Sequence, residues 1–438
     1  MKKINIGILG CGVVGTGVAK LLLEKKELLS SRTGALLNLK RVADPDIKRE
    51  RDVSFEEGML VSDANLILND PEIDIVVELI GGKTVAREYT IRALENGKHV
   101  VTANKALLSS HGNEIVKVAR TGQVDLAFEA SVGGCMPIIK TMRESLIANN
   151  IRSISAILNG TCNYILTRIS KHGDSFEKAL KTAQEKGFAE AEPSLDIDGH
   201  DSAHKLAILN SLAHGIDINL EDIHVEGISR IKPIDIKFAA NFGYDIKLLA
   251  ISKARGDQVE ARVHPTMIPL SNPLAHVGGV MNAVAIDADE TGPTMLYGHG
   301  AGMMPTASAV ISDIADIARN LIVSAKRRVP ILGYPEDNIK KADILPMKDL
   351  ATRYYIRCSA MDNPGVLSRI SGILGDLGIS IESVHQKGKN ANGAVPVVMI
   401  THMAKEENVV QAIDGIRDMD SIPDKPVLIR IEDNSNQE

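Results

Sequence analysis

The sequence predicts an α/β protein of about three domains, in which a doubly wound parallel sheet precedes two α+β units. Its first third alternates short apolar segments with longer helical patterns, as parallel strands joined by helices do. The chain has 438 residues, whereas one domain usually holds roughly 100–200. The pattern changes twice further on. We therefore predict domains over 1–135, 136–318 and 350–432, with a connection over 319–349.

The composition is that of a globular protein without general affinity for nucleic acid. Hydrophobic residues make up 44% and charged residues 24%, and the net charge is −6. There is no Trp, which argues against base-stacking platforms. No apolar run reaches the roughly 18 residues of a membrane span. The four cysteines are scattered, so we expect reduced thiols and a cytoplasmic location.

The elements of the first domain follow from its apolar periodicity. The expected strands cover 4–10, 39–46, 73–80 and 99–105, and the expected helices cover 13–29 and 84–96. The strand over 73–80, IDIVVELI, is apolar almost throughout, which is typical of a strand buried on both faces. A helix around 305–325 is expected to complete the domain.

Glycines directly after the first strand predict a dinucleotide site. Gly10, Gly12 and Gly15 match GxGxxG at the start of a helix. The first glycine makes a tight turn, the second admits a pyrophosphate and the third allows close packing. Val13 and Val14 lie in the first helical turn, whose free N–H groups attract anions. The alternative is a glycine turn required only for packing; the surrounding strands favour a Rossmann-type domain.

The choice between NAD and NADP stays open at the end of the second strand. Asp44 is the candidate for the adenosine ribose hydroxyls, which favours NAD. Lys48, Arg49 and Arg51 follow closely, and they could instead hold a 2′-phosphate.

An acidic stretch, GFAEAEPSLDIDGHDSAHKLAIL (187–209), precedes a lysine in an apolar helical pattern. We predict a helix capped by Asp198, with Asp201 and Lys205 four residues apart on one face. Burial lowers the pKa of a lysine and a neighbouring carboxylate raises it, a balance that suits proton transfer. The alternatives are an ordinary surface ion pair for Asp201 and Lys205 and, for Glu190, Glu192 and Asp196, a solvated loop instead of a site for a cationic group.

The remaining elements predict two α+β units. Strands over 154–160 and 258–268 lie among longer helices in the middle domain. Residues 354–431 read as βαββαβ, a ferredoxin-like order. Its predicted elements are strands over 354–360, 379–386, 395–402 and 427–431 and helices over 367–377 and 405–418.

Seven segments along the whole chain resemble the long bacterial homoserine dehydrogenases, which carry a C-terminal ACT domain. They are GCGVVG (10–15), VTANKALL (101–108), EASVGG (129–134), ILNGTCNYIL (157–166), the 187–209 stretch, GHGAGMMPTASAVISDI (298–314) and DNPGVLSRISGIL (362–374). The resemblance implies reversible NAD(P)-dependent interconversion of L-homoserine and L-aspartate 4-semialdehyde, in threonine and methionine biosynthesis. Two alternatives are an amino-acid-sensing regulator with a vestigial nucleotide-binding fold and a dehydrogenase of hydroxy acids. The 187–209 stretch does not fit the latter.

The resemblance also assigns roles to residues. It implies that Lys205 donates a proton to the substrate carbonyl and that Lys105 lies between nicotinamide and substrate. Glu190, Asp196 and Asp201 are expected to contact the substrate, with Glu190 taking its ammonium group. The positions expected at the cofactor are Gly10, Gly12, Val13, Val14, Gly15, Asp44, Thr102, Lys105, Gly187 and Gly300.

A monovalent cation, usually sodium, is a further implication of the resemblance. The expected ligand positions are Glu129, Val132, Gly134 and Met136, mostly through backbone carbonyls. Cys135 departs from the pattern, since a third glycine is expected there. A cysteine would strain the loop if this position needs a positive φ.

The ACT resemblance implies regulation and assembly. Two such units pairing side by side, in a homodimer or homotetramer, would bind an amino acid such as L-threonine at their seam. The turn over 362–365 would supply N–H groups to its carboxylate. The alternative is a dimerisation module without a ligand.

Overall fold

A six-stranded parallel sheet forms the first domain of the computed structural model, which describes residues 1–386 and 393–433. The strands are β1 (Lys2–Leu9), β2 (Ala35–Ala43), β3 (Leu60–Val61), β4 (Ile75–Glu78), β5 (His99–Thr102) and β6 (Leu126–Ala127). The helices are α1 (Val13–Glu24), α2 (Lys26–Thr33), α3 (Asn65–Leu68), α4 (Thr84–Glu95) and α5 (Lys105–Thr121). The strand order is β3-β2-β1-β4-β5-β6. Strands β2 and β3 are therefore added on one side of β1 and strands β4 to β6 on the other, which makes the gap between β1 and β4 the topological switch point. A crevice at the carboxyl ends of these two strands is where such sheets bind ligands.

Two predicted elements of this domain have different bounds. The helix predicted over 13–29 is broken at Lys25, where φ is −109° and ψ is 24°. The apolar periodicity does not reveal this break, because Leu29 in α2 packs on the same core as the apolar residues of α1. The second strand begins at Ala35 and not at Leu39, and it ends before Asp44.

A second sheet of eleven strands spans the rest of the chain. In the middle domain its strands are β7 (Ile151–Ile157), β8 (His224–Val225), β9 (Tyr244–Arg255), β10 (Gln258–Pro269), β11 (Met281–Ala288) and β12 (Gly292–His299). The helices there are α6 (Ile138–Lys140), α7 (Gly160–His172), α8 (Phe176–Glu185), α9 (Ser194–Ile197), α10 (His200–His214), α11 (Pro233–Asn241) and α12 (Met303–Ile322). The strand predicted over 154–160 ends earlier, at Ile157, because Asn159 caps α7 with its side chain.

Helix α12 returns to the first domain. Its apolar side shares one core with β1, α1 and β2, through residues such as Ala307, Val310 and Ile314. A methyl group at Gly17 of α1 would lie 3.0 Å from the carbonyl oxygen of Met303, so the two helices approach closely. The helix expected around 305–325 is therefore present and packs on the first domain, and the boundary predicted at residue 319 falls inside it.

The C-terminal unit has the predicted βαββαβ order with one additional short strand. Its elements are β13 (Ala351–Met361), α13 (Val366–Asp376), β14 (Ile381–Gln386), β15 (Ala394–Thr401), β16 (Ala404–Lys405), α14 (Glu406–Arg417) and β17 (Val427–Ile431). The helices cover one face through a core around Ile370, Leu374 and Ile416. β17 lies between β13 and β10, with Thr266 opposite Arg430. This unit is therefore not a separate appendage, because its strands extend the sheet of the middle domain.

Within residues 1–386 and 393–433, no helix is both long and apolar enough to cross a bilayer.

Candidate active site

The glycine loop after β1 has the shape that a pyrophosphate requires. Gly10 has a φ of 92°, and a methyl group there would lie 2.6 Å from the carbonyl oxygen of Leu79. At Gly15 a methyl group would lie 2.1 Å from the carbonyl oxygen of Gly10, whereas at Gly12 it would meet nothing within 4 Å. The first bond of α1 runs from Thr16 N–H to Gly12 O, so the preceding N–H groups have no helical acceptor. These residues fit a dinucleotide phosphate, in agreement with the sequence.

Asp44 lies beside this loop, immediately after β2. Its Oδ2 accepts from the N–H of Cys11 at 2.7 Å, and its Oδ1 lies 3.2 Å from the guanidinium of Arg51. Arg51 also donates to the carbonyl of Cys11 at 3.0 Å. Lys48 and Arg49 are exposed. Of the three basic residues considered for a 2′-phosphate, Arg51 is thus the one that contacts both Asp44 and the glycine loop.

Thr102, predicted at the cofactor, is hydrogen-bonded to neighbouring residues of the sheet edge. Its hydroxyl is buried and donates to Oε2 of Glu78 at 2.6 Å, while it accepts from the N–H of Asn104 at 3.0 Å. The other oxygen of Glu78 accepts from the N–H of Ile80 at 2.9 Å. The Thr102 hydroxyl is thus already hydrogen-bonded within the protein, and its contact with the cofactor stays a prediction. The residue also ties the carboxyl ends of β4 and β5 together, next to the start of α5.

A cavity of about 790 Å³ separates the glycine loop from the middle domain. It brings together predicted residues from five distant segments. Those lining it are Val13, Val14, Lys105, Gly134, Gly187, Glu190, Asp196, Asp201, Lys205 and Gly300. Residues predicted for the cofactor and residues predicted for the substrate therefore line one cavity.

Asp201 is bound by two lysines at the bottom of this cavity. Its Oδ2 lies 2.7 Å from Nζ of Lys205, and its Oδ1 lies 2.6 Å from Nζ of Lys105. The Lys205 ammonium also donates to the carbonyl oxygen of Leu158 at 2.6 Å. A protonated lysine has three donors, so these two acceptors leave one N–H of Lys205 for a ligand. The predicted pairing of Asp201 with Lys205 along α10 is confirmed.

Burial and the neighbouring opposite charges shift the pKa values of Lys105, Asp201 and Lys205, the Lys–Asp–Lys triad, in opposite directions. Burial lowers the pKa of Lys205, and the neighbouring Asp201 only partly offsets that effect. For Lys105 burial also opposes the charged form, but the attraction of Asp201 prevails and raises its pKa. Although burial disfavours its ionised form, the two lysines hold the pKa of Asp201 well below its usual range. Asp201 is thus an ionised counter-charge, and Lys205 loses its proton more readily than an ordinary lysine.

The start of α10 differs from the prediction. Gly199, with a φ of 88°, occupies the N-cap position, and no side chain caps the helix. Asp198 instead ends the short helix α9, because its N–H donates to the carbonyl of Ser194 at 2.9 Å. Asp198 is exposed and does not cap α10.

A polar turn between β7 and α7 contributes residues to which the sequence analysis assigned no role in the site. Asn159 donates from Nδ2 to Asp196 at 2.7 Å and to Asp201 at 2.9 Å, while its Oδ1 caps α7 through the N–H of Cys162. Thr161 donates to the carbonyl of Phe188 at 2.6 Å and lies 3.2 Å from Asp196. The signal was an N-capping asparagine after an apolar strand, which the segment ILNGT contains.

Glu190 and Asp196 face the cavity in different ways. Asp196 is half-buried and is held by Asn159 and Thr161. Glu190 is exposed, and its backbone carbonyl accepts from Gln184 at 3.1 Å. Glu190 therefore offers a carboxylate at the mouth of the cavity, whereas Asp196 belongs to the polar network inside it.

The predicted cation loop lies under the other wall of the cavity. Both carboxylate oxygens of buried Glu129 accept backbone N–H groups, from Ile139 at 2.8 Å and from Lys140 at 2.9 Å. Burial and the neighbouring Asp313 raise the pKa of Glu129 to about 7. Among the described residues, non-glycine positive φ angles do not include Cys135, so the condition for strain is not met. No cluster of three or more His, Cys, Asp or Glu side chains suited to a metal occurs in the described part of the chain.

Gly300 and Asn282 line the cavity and lie against each other. A methyl group at Gly300 would lie 2.1 Å from Nδ2 of Asn282, so only glycine allows this approach. Asn282 is 1% exposed and lines the cavity, and neither its Oδ1 nor its Nδ2 has a hydrogen-bond partner within the described residues. A buried amide without partners is costly unless a ligand or water satisfies it. Asn282 therefore brings an unsatisfied amide to the cavity wall, and the sequence analysis did not identify it.

The glycine loop, the shared cavity and the Lys–Asp–Lys triad define a nicotinamide-dinucleotide-dependent oxidoreductase. Family models match residues 137–315 as homoserine dehydrogenase, residues 10–129 as the NAD-binding domain of homoserine dehydrogenase and residues 354–418 as an ACT domain. The chain belongs to the homoserine dehydrogenase family. It interconverts L-homoserine and L-aspartate 4-semialdehyde with NAD(P), a step of amino-acid biosynthesis.

Individual relatives cover almost the entire chain. A homoserine dehydrogenase of Neisseria gonorrhoeae is 43% identical over 99% of both chains. A crystal structure of a homoserine dehydrogenase from Thiobacillus denitrificans has a TM-score of 0.93, with 43% identity and 99% coverage of both chains. A hyperthermophilic archaeal homoserine dehydrogenase in complex with NADPH matches 72% of this chain and 97% of its own, with 27% identity and a TM-score of 0.60.

Proposed function

We propose that Lys205 is the proton-transfer residue and that Asp201 and Lys105 set its charge state. The observation that supports this most is that Lys205 lines the cavity while Asp201 and Leu158 accept only two of its three N–H groups. In aldehyde reduction the protonated Lys205 donates to the oxygen that becomes a hydroxyl. In alcohol oxidation the neutral Lys205 accepts that proton. The bound dinucleotide supplies or accepts the hydride.

Substrate binding is proposed to use both charges of the amino acid. Glu190, exposed at the cavity mouth, would bind the ammonium group together with Asp196. The N–H groups of Gly160 and Thr161 begin α7 and line the cavity, so they suit the carboxylate. The role proposed for Asp201 differs from the substrate contact that the resemblance implies. Since its oxygens already accept from Lys105, Lys205 and Asn159, we propose that it orients the lysines and does not bind the ammonium.

The proposed cofactor preference is NAD over NADP. Asp44 lies at the end of β2 beside the glycine loop, where a carboxylate accepts bonds from ribose hydroxyls and repels a 2′-phosphate. Arg51 weakens this preference because it neutralises Asp44. NAD and NADP compared separately, as the rate of reduced nicotinamide formed from L-homoserine, test both the activity and the preference. Absence of product with both cofactors would contradict the assigned activity, and a higher rate with NADP would contradict the proposed preference.

A monovalent cation, sodium in the simplest case, is proposed at the loop formed by Glu129, Val132, Gly134 and Met136. The support is electrostatic: burial raises the pKa of Asp313 to about 6, and Glu129 donates its N–H to this carboxylate at 2.8 Å. The charge of Asp313 also raises the pKa of buried Glu129, so a nearby positive charge would favour the ionised form of this carboxyl group. Sodium should raise the thermal unfolding temperature above that in tetramethylammonium at equal ionic strength. Equal temperatures would contradict the proposal.

The C-terminal unit is proposed to regulate activity, with L-threonine as the effector. The turn over 362–365 is less open than expected, because the N–H groups of Asp362 and Asn363 already donate to Gly393 and Met361. Gly365 and the following turn of α13 retain donors for a carboxylate. An activity titration with threonine tests the effect; unchanged rates up to saturating threonine would leave the unit without this effector.

A homodimer or homotetramer is proposed because strand edges stay open. β12 and β14 are the terminal strands of the eleven-stranded sheet within the described residues. Open edges are templates for pairing with another chain. Light scattering on the purified protein measures the assembly, and a monomeric mass would contradict the proposal.

A cytoplasmic location is likewise proposed. Its support is that all four cysteines are free, and three of them are buried.

A further inference from the structure

A buried arginine of the C-terminal unit reaches into the middle domain. Arg430 on β17 is 3% exposed. Its Nε donates to Oε2 of Glu406 at 2.9 Å within the unit, and its Nη2 donates to Oε1 of Glu226 at 2.8 Å across the boundary. His224 also lies 2.8 Å from the same oxygen of Glu226. The Arg430–Glu226 pair thus anchors the segment after β8 to the C-terminal unit.

The anchored segment, residues 226–228, packs directly against the turn before α10. The N–H of Ile228 donates to the carbonyl of Ile197 at 2.9 Å. A methyl group at Gly227 would lie 2.3 Å from that carbonyl oxygen and 2.6 Å from Cα of Asp198. At Gly199 it would lie 3.3 Å from the carbonyl oxygen of Glu226. The two segments therefore fit without free space between them.

The turn over 197–199 connects the polar groups of the active site. Asp196 precedes it and is held by Asn159 and Thr161. Gly199 follows it and begins α10, which carries Asp201 and Lys205. A displacement of this turn would consequently move Asp196 and the start of α10 together.

We infer that Glu226 and Arg430 are positioning residues for the reaction, through which the C-terminal unit holds the turn over 197–199 in its active conformation. The inference rests on the roles proposed above for Asp201 and Lys205. It also connects the C-terminal unit to the catalytic residues through residues 226–228 and the turn over 197–199. Ligand binding that shifts β17 would alter turnover by this route, since both groups belong to one packed network.

Glu226→Ala and Gly227→Ala disturb the contact at two different points. The first removes one of the two carboxylates that accept from Arg430, and the second keeps the Glu226 side chain but places a methyl group against the carbonyl of Ile197. Glu226→Gln keeps a neutral acceptor and should restore most of the activity. Lys253→Ala is the matched control, because Lys253 pairs with Glu432 of the same unit but contacts neither segment.

The measurement combines kcat/KM for L-homoserine with calorimetric affinity for NAD. We expect Glu226→Ala and Gly227→Ala to lower kcat/KM by about 2- to 30-fold, the range for residues that act from outside a site. NAD affinity should be unchanged, because the glycine loop is not involved. Lys253→Ala should match wild type in both.

Lys205→Ala, measured alongside, distinguishes a failure of the proposed catalytic roles from a failure of the inference about Glu226 and Arg430. Loss of turnover in Lys205→Ala with wild-type kcat/KM in Gly227→Ala overturns the inference and leaves the proposed roles intact. An equal fall in Lys253→Ala and Glu226→Ala also overturns it, because the effect would then be general destabilisation. Wild-type turnover in Lys205→Ala overturns both the roles and the inference. If Glu226→Ala does not fold, Gly227→Ala decides.

Discussion

Asp201→Asn removes the charge shared by two lysines while keeping the side chain's shape. Asp201 and Lys205 are both buried, whereas the Lys105 side chain is 34% exposed. Removing one partner of a buried ion pair costs about 3–5 kcal/mol. The partly exposed Lys105 contact adds about 1 kcal/mol or less. If the cost falls on the protonated form of Lys205, it corresponds to a loss of roughly two to four orders of magnitude in aldehyde reduction at neutral pH.

The pH dependence of this variant has a definite sign. Without Asp201, the charged form of Lys205 is disfavoured further, so the lysine deprotonates at lower pH than in wild type. A neutral lysine needs no counter-charge, and the destabilisation of the variant should therefore shrink as pH rises. Thermal unfolding and semialdehyde reduction from neutral to alkaline pH test this, with Asp198→Asn as a control on the exposed carboxylate nearby. Wild-type reduction rates in Asp201→Asn at neutral pH would refute the reasoning.

Two further predictions concern proton transfer and cofactor choice. Homoserine oxidation should speed up as pH rises, because Lys205 must be neutral to accept a proton and burial lowers its pKa; a flat profile of kcat/KM, with chemistry limiting, would contradict a lysine base. Asp44→Ser should shift the ratio of kcat/KM values toward NADP, because it removes the repelling carboxylate and frees Arg51 from its ion pair; an unchanged ratio would leave the preference to other residues, with Lys48→Ala as the control.

Local sequence patterns were sufficient to predict those features that residues close together in the chain determine. The glycine loop follows from spacing that one strand and one helix enforce. The Asp201–Lys205 pair follows from helix geometry, since residues four apart share a face. The order of elements in the C-terminal unit is likewise a matter of alternating and helical periodicity.

Contacts between distant segments were not predictable in this way. Thr102 turns toward Glu78 because adjacent strands bring their ends together, and neither residue signals the other in sequence. The helix start at Gly199 depends on α9, whose last turn absorbs Asp198. The pairing of β17 with β10 joins residues more than 150 positions apart, and a periodic pattern does not specify such a partner.

The most direct test of the account is the rate of hydride transfer in Lys205→Ala, followed as reduced nicotinamide formed from L-homoserine in a single turnover. Since Lys205 lines the cavity and keeps one N–H without an acceptor among the described residues, we expect a rate lower by about 10²–10⁴. NAD affinity should stay near that of wild type. A wild-type hydride-transfer rate in Lys205→Ala would contradict the assignment of Lys205 as the proton-transfer residue.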